Sequence, residues 1–186
     1  MRPPQKTKSS NDFQTPPEAL LPLYPFIKKD WTIWECAEGD GNLSATLKKR
    51  GYDVIGTDIL KGKDFLTYQP EHFDMIITNP PYSLKQQFLK RCYELGKPFA
   101  LLLPLTTFET KKRQDLFKQY GIEVVFFDKR INFKTPSGKG SGSWFATAWF
   151  CNGLNLPSQL NFAILGDNTI KQCRITGDWG KGGQNK

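Results

Sequence analysis

The chain has 186 residues, 38% of them apolar and 24% charged, a size and balance that fit one folded domain and exclude an intrinsically disordered chain. Its 26 Lys and Arg against 18 Asp and Glu leave a net charge of +8, which favours polyanionic partners without by itself requiring them. The four cysteines (Cys36, Cys92, Cys151, Cys173) form no CxxC pair and there is one histidine, His72, so no metal site is expected and the thiols read as free groups in a reducing cytoplasm.

Residues 1–12 are polar and Pro-rich and predict a flexible leader without the apolar core of a signal peptide. No run approaches a membrane span, so the expected protein is cytoplasmic, with no membrane partner. "QTPPEALLPLYPFI" predicts a short helix opened by proline. "WTIWECA", from Trp31 to Ala37, predicts a strand, "EGDGN" a glycine turn, and "LSATLKKRG" a helix stopped at Gly51. "YDVIGTDI" and "HFDMIITN" predict two more strands, and "SLKQQFLKRCYELG" an amphipathic helix closed by Gly96. "PFALLLPL" reads as a buried strand, "ETKKRQDLFKQYG" as a helix and "IEVVFFD" as a strand. "KRINFKTPSGKGSGS" must be a loop, and "WFATAWFCN" is a strong closing strand. Residues 153–186 are Asn/Gly-rich with one strand candidate, "LNFAIL". They read as a partly flexible extension of a catalytic domain spanning 13–152. Alternation at this spacing predicts an α/β fold with short apolar strands of parallel-sheet type.

The turn after the first strand places Gly39 and Gly41 where backbone must approach a ligand or turn tightly. Ser44 stands where a dinucleotide fingerprint carries its third glycine, and the turn has no basic residue, which favours a nucleoside over a pyrophosphate. Asp58 ends the next strand about 20 residues on, the spacing of a ribose-gripping carboxylate. It could equally serve as a helix N-cap.

In "IITNPPY" an apolar strand ends in an amide, two prolines and a ring. Proline lacks an N–H and fixes φ, so the strand stops at Asn79 and the backbone beyond it is rigid. The Asn79 side-chain oxygen and the Pro80 carbonyl, held by Pro81, can accept both hydrogens of an exocyclic amine and orient its lone pair. Tyr82 offers a face for a planar target. A proline-rich turn with no catalytic duty is the competing reading.

"ECAEGDG", Asp58, Asp64-Phe65 and "NPPY" occur here in the order and spacing of class I S-adenosylmethionine-dependent amino-methyltransferases, and the chain resembles that family from about residue 13 to 151. The resemblance implies a Rossmann-like methyltransferase fold, mostly parallel with an antiparallel last strand, and S-adenosyl-L-methionine as cofactor. Glu35, Ala37, Gly39 and Gly41 would surround its methionine part and Thr15 its carboxylate. Asp58 would hold the ribose, and Asp64 the adenine amino group beside the Phe65 ring. Ala37 stands where the family often has Phe. In the loop before the closing strand the family carries a second aromatic against the target. Phe133 is the first choice for it and Trp144 the second, among Lys129, Arg130, Lys134 and Lys139. Lys111, Lys112 and Arg113 open the preceding helix, whereas Lys48, Lys49 and Arg50 suit the helix dipole.

Such a protein resembles phage-type DNA N6-adenine methyltransferases, which makes DNA the favoured nucleic acid. RNA adenine N6 or guanine N2, cytosine N4 and protein glutamine stay open as targets, as does a non-catalytic nucleic-acid binder of the same fold. The short extension after Asn152 leaves target specificity to loose recognition, a structured RNA or a protein partner.

Overall fold

The computed structural model describes residues 14–133, 141–142 and 145–172. Its strands are β1 (Thr32–Glu35), β2 (Asp53–Gly56), β3 (Met75–Thr78), β4 (Phe99–Pro104), β5 (Glu123–Phe127), β6 (Asn132–Phe133), β7 (Ser141–Gly142), β8 (Thr147–Asn152), β9 (Leu160–Ala163) and β10 (Ile170–Gln172). The α-helices are α1 (Asn42–Lys49), α2 (Lys85–Leu95) and α3 (Lys111–Tyr120). Eight strands form one sheet in the order β10-β9-β5-β8-β4-β3-β1-β2, while β6 and β7 pair separately. β1, β2, β3, β4, β5 and β9 run parallel, and β8 runs antiparallel between β4 and β5. The α/β sheet with an antiparallel closing strand is thus as expected.

The apolar runs are long because both sheet faces are covered. Side chains alternate across the pleat. Met75, Ile77 and Leu102 therefore join one core with Leu20, Leu23, Leu47 and Trp149, while Ile76, Leu101 and Leu103 join another with Trp34, Phe88, Leu89 and Phe150. The first core lies under the N-terminal segment and α1, and the second under α2 and α3. Pro17–Phe26 is a 3-10 helix rather than an α-helix, because the internal Pro22 and Pro25 remove the amides that α-helical pairing needs. Trp149 Nε1 donates to Ala19 O at 2.7 Å and fastens this segment to β8.

Beyond Asn152 the chain does not leave the domain. Leu154 and Leu156 amides donate to the Glu123 carboxylate at 3.1 and 2.7 Å, turning the chain back. β9 then pairs parallel with β5, and β10 antiparallel with β9. The expected extension thus adds two strands to the main sheet, and residues 173–186 lie outside the described residues. Among the described residues no helix is long and apolar enough to cross a membrane, and no group of His, Cys, Asp and Glu could hold a metal ion.

Candidate active site

β1 has β2 on one side and β3 on the other, so loops leaving the carboxyl ends of these strands diverge and open a crevice at the point where strand order reverses. A cleft of about 340 Å³ lies there, its walls including Ala37, Gly39, Asp58, Asp64, Phe65, Asn79 and Pro81. That volume is in the range of small-molecule sites. Two motifs far apart in sequence, the glycine turn and the Asn-Pro-Pro turn, thereby face one cavity.

The glycine turn is held by carboxylates. Gly39 and Gly41 have φ of +52° and +81°, a region that glycine enters without strain, and Gly41 starts α1 in this conformation. Asp58 Oδ2 accepts from Gly39 N at 2.9 Å and Oδ1 from Leu60 N at 2.8 Å. Asp58 is therefore the N-cap of the 3-10 turn Ile59–Lys61, the second of its two readings, and it also ties Gly39 to that turn. A carboxylate has about four acceptor sites, which leaves capacity for ligand hydroxyls. Asp64 Oδ1 accepts from Leu66 N at 2.9 Å at the far end of the cleft. Phe65 is buried and stacked on Phe88 at 4.5 Å, so its ring belongs to the core while the residue also helps line the cleft.

Glu35 closes β1 and is 1% exposed, with Oε1 accepting from Ala37 N at 3.1 Å. Burial pushes its pKa up to about 8, opposed by the Ala37 amide and reinforced by Glu38 and Asp58. Thr15 is buried and its hydroxyl has no hydrogen-bond partner. Its neighbour Gln14 donates to Asp40 at 2.9 Å and accepts from Asn42 at 2.6 Å, which lays this segment on the glycine turn. Glu35 and Thr15 do not line the cleft in this conformation.

At the end of β3, Pro81 O accepts from Leu84 N at 2.8 Å and opens a 3-10 turn, Tyr82–Leu84, that leads into α2. Asn79 lines the cleft with its side-chain oxygen buried, whereas Tyr82 does not line it. The Tyr82 ring lies 5.5 Å from that of Phe145 in an edge-to-face arrangement, its hydroxyl buried and burial raising its pKa far above normal.

Phe133, the first choice for the second aromatic, is 1% exposed in the core beside Ile131 and Trp149 and presents no face to the cleft. Phe145 meets Tyr82 instead, because β8 pairs Thr147 with Pro104 and delivers the residues before it to the side of the sheet where the cleft lies. Trp144, Lys134 and Lys139 lie outside the described residues. Lys129 and Arg130 are exposed just past β5. Arg113 is not a surface cation: it is 7% exposed, and its guanidinium donates to Thr107 O at 2.6 Å and Thr106 O at 3.2 Å.

Three contributors had escaped sequence reading. Glu38 bridges to Lys61 at 2.8 Å and sits where any side chain at Gly56 would be. Ile59 and Leu60, 64% and 90% exposed, form an apolar lip beside Asp58. An apolar pair directly after a strand-ending acid was the available signal.

No family model matches the sequence, and no curated protein sequence matches it. Among solved structures, the methyltransferase subunit of a type I restriction-modification system from Streptococcus thermophilus is 19% identical, with a TM-score of 0.57, over 83% of this chain and 48% of that one. A modification subunit of a putative type I restriction enzyme from Vibrio vulnificus YJ016 is 12% identical, with a TM-score of 0.50, over 83% and 47%. The type IIG restriction endonuclease BpuSI is 14% identical, with a TM-score of 0.52, over 83% and 27%. The chain spans about half the length of the two subunits, and what it shares with them is the methyltransferase fold.

Proposed function

We propose that this protein transfers a methyl group from S-adenosylmethionine to an exocyclic amine of a nucleobase, namely adenine N6 in DNA. The observation that carries the reading is that Asn79 shares one cleft with Gly39 and Asp58. An amine acceptor and a nucleoside cradle have no structural reason to face each other.

The residues present fit the cofactor. Asp58 has acceptor capacity for ribose hydroxyls, Asp64 for an amino group, and Ile59, Leu60 and Phe65 give apolar walls for a purine. The glycine turn lets backbone come close to the methionine part, with the Glu35 carboxyl behind it. The bound cofactor supplies an electrophilic methyl on a positively charged sulfur.

The chain has to position a weak nucleophile and accept its developing charge. The Asn79 oxygen and the Pro80 carbonyl would accept the two N–H groups and aim the lone pair at the methyl carbon. Once methylated, the amine would carry a positive charge that these two oxygens offset until one of its protons leaves to water. In this reading Phe145, packed against Tyr82, takes the place beside the planar target that was expected of Phe133. DNA is favoured by the net charge of +8 and by the restriction-modification neighbours, and a protein partner would supply the target sequence.

The test is tritium transfer from labelled S-adenosylmethionine into unmethylated DNA, total RNA and protein extract, with Asn79→Ala beside the wild type. Label as N6-methyladenine in DNA, absent with Asn79→Ala although that variant still binds cofactor, is the expected result. Label confined to RNA or protein would overturn the DNA reading, and label unaffected by Asn79→Ala would overturn the assigned chemistry.

A further inference from the structure

The loops at the catalytic edge of the sheet divide by charge. The loops after β1 and β2 carry Glu35, Glu38, Asp40, Asp58 and Asp64 with Lys61 and Lys63 among them, whereas those after β3, β4 and β5 carry Lys85, Lys111, Lys112, Arg113, Lys129 and Arg130 with Glu109 and Asp128 among them, so the first set is acidic on balance and the second basic. The acidic half suits a cationic cofactor. The basic half breaks a rule of helix design. α2 opens on Lys85 and α3 on Lys111-Lys112-Arg113, neither with an acid in its first turn, so cations sit at the positive ends of two helix dipoles.

The arrangement is also frustrated within itself. Lys85 Nζ donates to Tyr82 O at 3.2 Å, which places an ammonium directly behind the target-facing turn. Its charge is felt by the buried Arg113 guanidinium, which donates to neutral carbonyls of the turn after β4. Burial and this like charge both lower the Lys85 pKa, with Glu109 as the partial offset. In that same turn Thr107 is fully buried with a hydroxyl lacking any hydrogen-bond partner, and so is the Thr147 hydroxyl on the neighbouring β8. Of the first-turn lysines, Lys111 is paired with Asp115 at 2.7 Å, while Lys112 is exposed. First-turn cations at two neighbouring helix starts, without acids beside them, suit an anionic ligand.

We propose that Lys85 and Lys112 form a ledge that binds the nucleic-acid phosphates flanking the target nucleotide, so that the strand leaves the cleft over α2 and α3, away from the acidic cofactor half. This rests on the nucleobase reading above. Lys85 would then have two duties, holding the Tyr82 turn and contacting a phosphate.

The experiment measures binding of an adenine-containing duplex oligonucleotide by fluorescence anisotropy across salt concentrations. It compares wild type, Lys85→Gln, Lys112→Gln and the double variant, with Lys48→Gln/Lys49→Gln at the opposite sheet edge as control. Gln at position 85 keeps an N–H donor for Tyr82 O, so the turn survives while the charge goes. Each ledge substitution should flatten the slope of log K against log salt by about 0.9, the contribution of one phosphate contact. The control should match wild type, and S-adenosylmethionine affinity should stay within about twofold throughout, since a difference of that size is under 1 kcal/mol. Slopes equal to wild type in both ledge variants would overturn the ledge while leaving methyl transfer intact. Flattened slopes in a protein that methylates no nucleic acid would support the ledge and overturn the catalytic reading.

Discussion

Asp58→Ala separates the tether that this carboxylate forms from the ribose contact proposed for it. The native side chain, 8% exposed, receives the Gly39 and Leu60 amides at 2.9 and 2.8 Å and so ties the glycine turn to the turn after β2. A hydrogen bond to a charged group contributes about 1.5–3 kcal/mol, and because both bonds are partly hydrated the pair should cost about 2–3 kcal/mol when lost. For a chain of this length each kcal/mol shifts Tm by about 2–4 °C, so the variant without ligand should melt about 4–12 °C lower. Ligand supplies the second readout. At a hundred times its Kd a ligand adds about 2.7 kcal/mol to wild type, and a variant with affinity reduced a hundredfold gains only about 0.4 kcal/mol. Thermal melts followed by circular dichroism, with and without S-adenosylmethionine, check both. A ligand-free Tm within about 2 °C of wild type, a shift worth under 1 kcal/mol, would refute the tethering argument. A full ligand-induced shift in the variant would refute the ribose contact.

Glu35 makes stability depend on pH. Its pKa is raised to about 8 by burial, so the folded state holds a proton that the unfolded chain releases near 4.5. Stability should therefore fall as pH rises from about 4.5 to about 8 and level off above that window. Glu35→Gln, unable to ionise, should show a flatter profile in urea unfolding and gain most over wild type above pH 8; parallel profiles would refute the burial argument. The two candidate rings should part in their effects. Phe133→Ala, emptying a buried site, should cost about 3–5 kcal/mol of stability. Phe145→Ala should instead lower methyl transfer to nucleic acid with a much smaller change in unfolding midpoint. The reverse pattern would return Phe133 to the target site.

Local signals were legible wherever chemistry is written in consecutive residues. Pro80 and Pro81 end β3 because proline cannot continue a ladder, Gly41 and Gly96 mark helix ends because they adopt positive φ, and the apolar runs of β3 and β4 announce strands covered on both faces. The N-cap reading of Asp58 likewise holds, its Oδ1 accepting from Leu60 N. What sequence left open was every choice that depends on which strands become neighbours. β9 joins the sheet only because β5 offers an unpaired edge, and nothing in the alternation of Leu160 and Phe162 names that partner. Phe133 and Phe145 are both aromatic residues of one glycine-rich segment; the β4–β8 register sends one to Tyr82, while the other packs into the core. Arg113 reads as a surface cation until the turn after β4 folds its carbonyls around it. Residue type and spacing encode what a group can do over a few bonds, whereas strand order and register decide, across the sheet, which group is given the chance.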